Sequence, residues 1–127
     1  MKVINFEDNV YKHVAICKIL ESCGVTDTDI VWVRNLEAGI DAVHAAIEAG
    51  EKFDLIITDM WYPAKEFGGD NESGDALIEK SKAEKWDIPI ILLSTIKYYY
   101  PNILGALQYS ELENWEHELE ILVKSIK

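Results

Sequence analysis

Four side chains in this sequence have the type and placement for phosphoryl or metal chemistry: Glu7, Asp8, Asp59 and Ser94. Each follows an apolar run: Val3-Ile4-Asn5-Phe6 before Glu7-Asp8, Leu55-Ile56-Ile57-Thr58 before Asp59, and Ile90-Ile91-Leu92-Leu93 before Ser94. Short apolar runs bounded by turn residues read as strands buried on both faces. In open α/β sheets the carboxyl ends of such strands are where ligands bind. Carboxylates brought together there repel, so one takes up a proton or a cation holds them. An all-oxygen donor set suits Mg²⁺, and the group contains none of the His or Cys ligands of a zinc site. Beside such a metal, Asp59 could act as a nucleophile towards a phosphoryl group. The metal would offset charge on the transferred oxygens, and the Ser94 hydroxyl could hydrogen-bond one of them. The competing readings are structural: Asp59 as a strand-end cap, Ser94 and Thr95 as turn or helix-capping hydroxyls.

The intervening elements must bring these residues to one edge. Asn9 is placed to cap a helix over Val10 to Ser22, with Val10, Val14, Ile16 or Cys17, and Leu20 as its apolar positions and Gly24 as its stop. Ile30 to Val33 reads as a second strand. Asn35 caps a second helix with Ala38, Ala42, Val43, Ala46 and Ile47 on one face and Gly50 at its end. Pro63 fixes the turn after Asp59. Ala64 to Gly74 is Gly-rich and acidic without a period, and reads as a long loop of the kind that is functional or mobile. A third helix is expected from Asp75 to about Lys85, a fourth strand over Pro89 to Leu93, a fifth over Ile103 to Tyr109, and a closing helix over Trp115 to Ile126 capped by Asn114. Strands alternating with helices imply a parallel sheet covered on both faces, with right-handed crossovers. The expected fold is α/β: a doubly wound five-stranded parallel sheet of order 2-1-3-4-5, flavodoxin-like, which sets Glu7 and Asp8 beside Asp59.

Composition narrows the function. The 127 residues read as one domain, 1–127, without a separate output domain. The formal net charge of −11 disfavours direct binding to nucleic acid or anionic membranes. No signal peptide or membrane-spanning apolar run is visible. Two cysteines, Cys17 and Cys23, suit a reduced cytoplasmic protein better than a disulfide framework.

On Glu7-Asp8 after strand one, Asp59 with Pro63 after strand three, and Pro89 to Ser94 through strand four, the chain resembles the receiver domain of two-component response regulators. The resemblance covers the chain well to about Thr95 and poorly beyond. It implies that Asp59 is the phosphoacceptor and Asp8 a direct Mg²⁺ ligand. Glu7 would act mainly through water, the Trp61 backbone carbonyl would complete the protein ligands, and Ser94 would be the switch hydroxyl. It further implies a cytoplasmic phosphorelay protein with a histidine kinase or phosphotransfer protein upstream, an unidentified protein downstream, and no dedicated enzyme activity.

Three features depart from the family pattern. Glu7 stands where aspartate is usual. The stretch between Pro63 and Gly74 is longer than the family's, so it could cover or obstruct the site. The family lysine at the end of strand five, which contacts the phosphoryl group, is missing from Leu107-Gln108-Tyr109-Ser110-Glu111. Lys97 is the nearest basic substitute in sequence. Tyr98, Tyr99 and Tyr100, in the region of the family's output face, either anchor an interface or cover the sheet edge and pack on the last helix. The alternatives to a working receiver are a pseudo-receiver that is not phosphorylated and a metal-dependent phosphohydrolase. The latter lacks a second acid/base carboxylate at the position of Trp61.

Overall fold

A computed structural model describes residues 1–126. Its chain order is β1 (Val3–Phe6), α1 (Val10–Ser22), a 3₁₀ turn (Asp27–Asp29), β2 (Ile30–Val33), α2 (Leu36–Glu48), β3 (Leu55–Thr58), β4 (Tyr62–Pro63), β5 (Asp70–Asn71), α3 (Ser73–Glu84), β6 (Ile90–Ser94), β7 (Gly105–Gln108) and α4 (Trp115–Lys124). The main sheet is parallel with order β2-β1-β3-β6-β7. It is the doubly wound arrangement expected from the sequence, with β6 and β7 as the fourth and fifth strands.

Alternation along each strand divides the core. Val3, Leu55, Ile57, Ile91 and Leu93 face α1 and α4, where they meet Ile16, Leu20, Trp115, Leu119 and Val123. Ile4, Phe6, Ile56 and Ile90 face α2 and α3, where they meet Val43, Leu77 and Ile78. Burial on both faces is what makes these strands continuous apolar runs. On the α2 side Phe6 lies so close to Gly39 that a Cβ there would come 1.9 Å from its ring. Gly39→Ala is expected to cost about 1–3 kcal/mol by forcing that fully buried ring aside. Urea denaturation checks this.

Several local expectations are corrected. On α1, Val10 and Val14 are exposed, and the buried face is Lys12, Ile16 and Leu20, spaced four residues apart. Asn9 and Asn35 cap their helices as expected, through Asn9 Oδ1 to the Tyr11 and Lys12 amides and Asn35 Oδ1 to the Ala38 amide. Asn114 makes no side-chain cap.

The stretch from Ala64 to Gly74 is not a featureless loop. Within it Asp70–Asn71 pair antiparallel with Tyr62–Pro63, just before it, as the β4–β5 ribbon, and the Ala64 carbonyl accepts from the Glu37 amide at the start of α2. Tyr62, fully buried, roots the ribbon, its hydroxyl 2.9 Å from Thr58 Oγ1 and its carbonyl accepting from Ser73 Oγ.

Between β6 and β7 no residue is helical. A groove of about 850 Å³ opens there, lined by Ile78, Ile88, Ile90, Tyr100 and Ile103 among others. The tyrosines do not pack on the last helix. Tyr98 OH accepts from Trp61 Nε1, Tyr100 donates to Asp75 on α3, and Tyr99 is exposed. Among the described residues no helix is long and apolar enough to cross a membrane.

Candidate functional site: an acidic cluster closed by a buried lysine

Sheet register assembles the site. Phe6 lies beside Thr58, so Glu7 and Asp59 leave adjacent strands together. The Asp59 amide donates to the Phe6 carbonyl, and the Glu7 amide to the Val33 carbonyl. Carboxylate oxygens of Glu7, Asp8 and Asp59, one from each, lie within 4.8 Å of one another. Glu7 is almost wholly buried, whereas Asp8 and Asp59 are partly exposed.

Backbone amides orient two of the three carboxylates. Asp59 Oδ1 accepts from the Met60 amide at 2.7 Å. Glu7 Oε2 accepts from the Asn9 amide, and the Glu7 carbonyl accepts from Trp32 Nε1 at 2.7 Å. Trp32 stacks on His13, their centroids 4.3 Å apart, and His13 Nδ1 lies 2.8 Å from Asn5 Oδ1. Because Asn5 Nδ2 donates to the Ile57 carbonyl, the same amide ties α1 to β3.

The cation here is Lys12, buried on α1. Its Nζ lies 2.9 Å from Glu7 Oε1 and 3.4 Å from Asp59 Oδ2, and donates to the Leu93 carbonyl at 2.5 Å. Lys97 is exposed and, among the described residues, makes no ion pair with the cluster. Sequence reasoning missed Lys12 because a helical lysine normally reaches solvent. The signal that could have found it is its spacing of four from Ile16 and eight from Leu20, on their face of the helix. Asp70 was missed as well: the ribbon carries it close enough to Asp8 to act on its charge. Arg34 lies at the rim, donating to the Asp8 backbone carbonyl.

Ser94 is buried, and its Oγ accepts from the Ile96 amide at 3.4 Å, the turn-forming bond of its structural reading. Trp61, two residues past Asp59, has a partly exposed side chain. Gly74 explains how the ribbon fits: the Gly74 amide donates to the Met60 carbonyl, and a Cβ at Gly74 would meet the Asp59 carbonyl oxygen at 2.3 Å. The start of α3 therefore packs directly on the backbone of the aspartate turn.

The donor set fits a hard divalent cation. Although Lys12 lies near it, Glu7 Oε1 is a buried acceptor without a partner in hydrogen-bond geometry. Burial is the main cause that pushes the Glu7 carboxyl above its ordinary value, with Asp59 adding to it and Lys12 opposing. Asp8 is also raised, by burial first and then by Asp70 and Asp59.

A carboxyl raised on folding binds protons more readily in the folded state. Stability therefore falls as pH rises from the unfolded value through the folded one. Asp8→Asn removes that penalty, so the metal-free variant should melt higher than wild type at neutral pH. Loss of one of the three oxygen donors should also weaken divalent-cation binding at the cluster by about tenfold or more. Differential scanning calorimetry with and without Mg²⁺ measures both effects.

No family model matches the chain, and no curated protein matches it in sequence. Solved structures do. A two-component response regulator from Cytophaga hutchinsonii superposes with a TM-score of 0.71 at 17% identity, covering 98% of this chain and 95% of that one. The phosphorylated cyanobacterial phytochrome response regulator RcpA gives 0.67 at 19%, covering 98% and 89%. The Mn²⁺-bound response regulator Rcp1 gives 0.65 at 18%, covering 96% and 91%. With its sheet order, its two-sided core and its acidic residues at the carboxyl edge, the chain has the fold of response-regulator receiver domains.

Proposed function

We propose that this chain is a receiver domain that accepts a phosphoryl group on Asp59 and signals through contact with a partner protein. The observation that carries the reading is the convergence of Glu7, Asp8 and Asp59 on one sheet edge of a receiver fold. An Asp59 carboxylate oxygen attacks phosphorus in the phosphoimidazole of a histidine kinase or phosphotransfer protein. The P–N bond breaks, and its electron pair leaves on the imidazole nitrogen, which takes a proton from water. Mg²⁺ would be held by Asp8, Asp59, the Trp61 backbone carbonyl and, through water, Glu7; when bound it offsets charge on the transferred oxygens. The Met60 amide fixes one Asp59 oxygen and so the direction of the other. Ser94 supplies a hydroxyl at the end of the neighbouring strand.

The second reading, a pseudo-receiver, is favoured by Lys12, which already offsets part of the cluster's negative charge without any metal. Intact-mass analysis after incubation with acetyl phosphate and Mg²⁺ separates the two. A single phosphoryl adduct that requires Mg²⁺ and is absent in Asp59→Asn is expected. Mg²⁺ binding without an adduct would favour the pseudo-receiver.

A further inference from the structure

Lys12 occupies a position with consequences beyond charge balance. Its ammonium lies within 3.4 Å of oxygens on three different segments: Glu7 after β1, Asp59 after β3 and the Leu93 carbonyl on β6, to which it donates. Its Nζ also lies 5.5 Å from the centroid of Tyr109, the residue that follows β7. Tyr109 in turn packs against Trp115, the first residue of α4, with centroids 5.0 Å apart. The Tyr109 amide donates to the Ser94 carbonyl, so its backbone is tied to the end of β6. Among the described residues no other cation makes an ion pair with the three carboxylates.

We propose that Lys12, carried on α1, is the cation that engages the phosphoryl group on Asp59, and that its displacement is transmitted through Tyr109 to Trp115 and α4. This rests on Asp59 being the phosphoacceptor.

The physical argument is charge and distance. Phosphorylation replaces the single charge of Asp59 by up to two charges on phosphoryl oxygens a bond further out. An ammonium already 3.4 Å from Asp59 Oδ2 is, among the described residues, the one cation paired with that carboxylate. Charge-assisted bonds to those oxygens outweigh a bond to a neutral carbonyl, so Lys12 turns from Leu93 towards the phosphoryl group. That movement changes the cation–π contact with Tyr109, whose ring also packs against Trp115. The short Glu7–Lys12 pair keeps the ammonium at the site in the unphosphorylated state. The longer glutamate where the family has aspartate and the lysine on α1 thus belong to one arrangement.

Three measurements test this on the full chain. The adduct assay on wild type and Asp59→Asn first decides whether Asp59 accepts a phosphoryl group; no adduct in wild type overturns that reading and this one with it. In wild type that does form the adduct, the Lys12 side-chain ammonium resonance should shift more than those of the other lysines. The fluorotryptophan signal of Trp115 should move with it. An unmoved Lys12 resonance overturns the inference while leaving the phosphoacceptor reading intact.

Removing the charge from Lys12 alone strands Glu7, so the kinetic comparison is Glu7→Gln against Glu7→Gln/Lys12→Met. The double variant should form the adduct about 10²-fold more slowly, the scale of losing one charge-stabilising donor, and should lose the Trp115 response. Equal rates and an unaltered Trp115 response would overturn the role of Lys12.

Discussion

Lys12→Met is expected to cost the folded protein about 3–5 kcal/mol, the scale of breaking a buried ion pair by removing one partner. The Lys12 and Glu7 side chains are only 4% and 1% exposed, so neither charge is screened by water. Without the ammonium, Glu7 keeps its burial and its repulsion by Asp59 and loses the charge that opposes both. Its carboxyl, already above the ordinary 4.5, rises further. The folded variant then holds a proton where the unfolded chain has released it. Its stability should fall as pH rises from about 4.5 through the folded value, more steeply than in wild type. Glu7→Gln/Lys12→Met removes both charges and should recover most of the loss, since well-matched neutral groups can replace a buried pair at little cost. Urea denaturation of both variants across pH measures the difference. A loss below about 1 kcal/mol in the single variant would mean that the pair behaves as an exposed one.

The second large effect lies at Gly74. Its missing side chain lets the start of α3 approach the Asp59–Met60 backbone, where a Cβ would stand 2.3 Å from the Asp59 carbonyl oxygen and 2.7 Å from Met60 Cα. Both neighbours are backbone, so neither can swing aside as a flexible side chain would. Gly74→Ala should therefore cost about 3 kcal/mol, at the upper end for overpacking. It should also displace the aspartate turn. In the fraction that folds, phosphoryl uptake by the proposed phosphoacceptor, Asp59, should fall by up to about 10²-fold, since reactive groups misplaced by an ångström lose rate on that scale. Measuring stability and adduct formation together distinguishes a local clash from a general loss of folding. If both were unchanged, α3 would have to start differently from the way the structure shows.

The sequence determined the sheet, because its signals are local. Leu55-Ile56-Ile57 and Ile90 to Leu93 are apolar without interruption, as strands covered on both faces must be. Asn9, Asn35, Gly24 and Gly50 punctuate the helices by chemistry that acts within a few residues: two side-chain caps and two glycines at positive φ. Strand order follows from strand–helix alternation, so Glu7, Asp8 and Asp59 are legible as a cluster in the sequence alone.

What only the tertiary structure decided depends on partners distant in sequence. The stretch from Ala64 to Gly74 has no period of its own. It is ordered by Tyr62 in the core and by the contact of Gly74 with the aspartate turn. The tyrosine run found its partners on α3 and at Trp61 rather than on the last helix, because no helix separates β6 from β7. The cation of the site came from α1 rather than from after β6. Its spacing from Ile16 and Leu20 puts Lys12 on the buried face of α1, but no local pattern announces that its charge is met by Glu7 five residues before it, Asp59 on another strand and a carbonyl at Leu93. Local pattern fixes where carboxylates stand, but burial of a charge is decided by every group that meets it, and those groups come together only on folding.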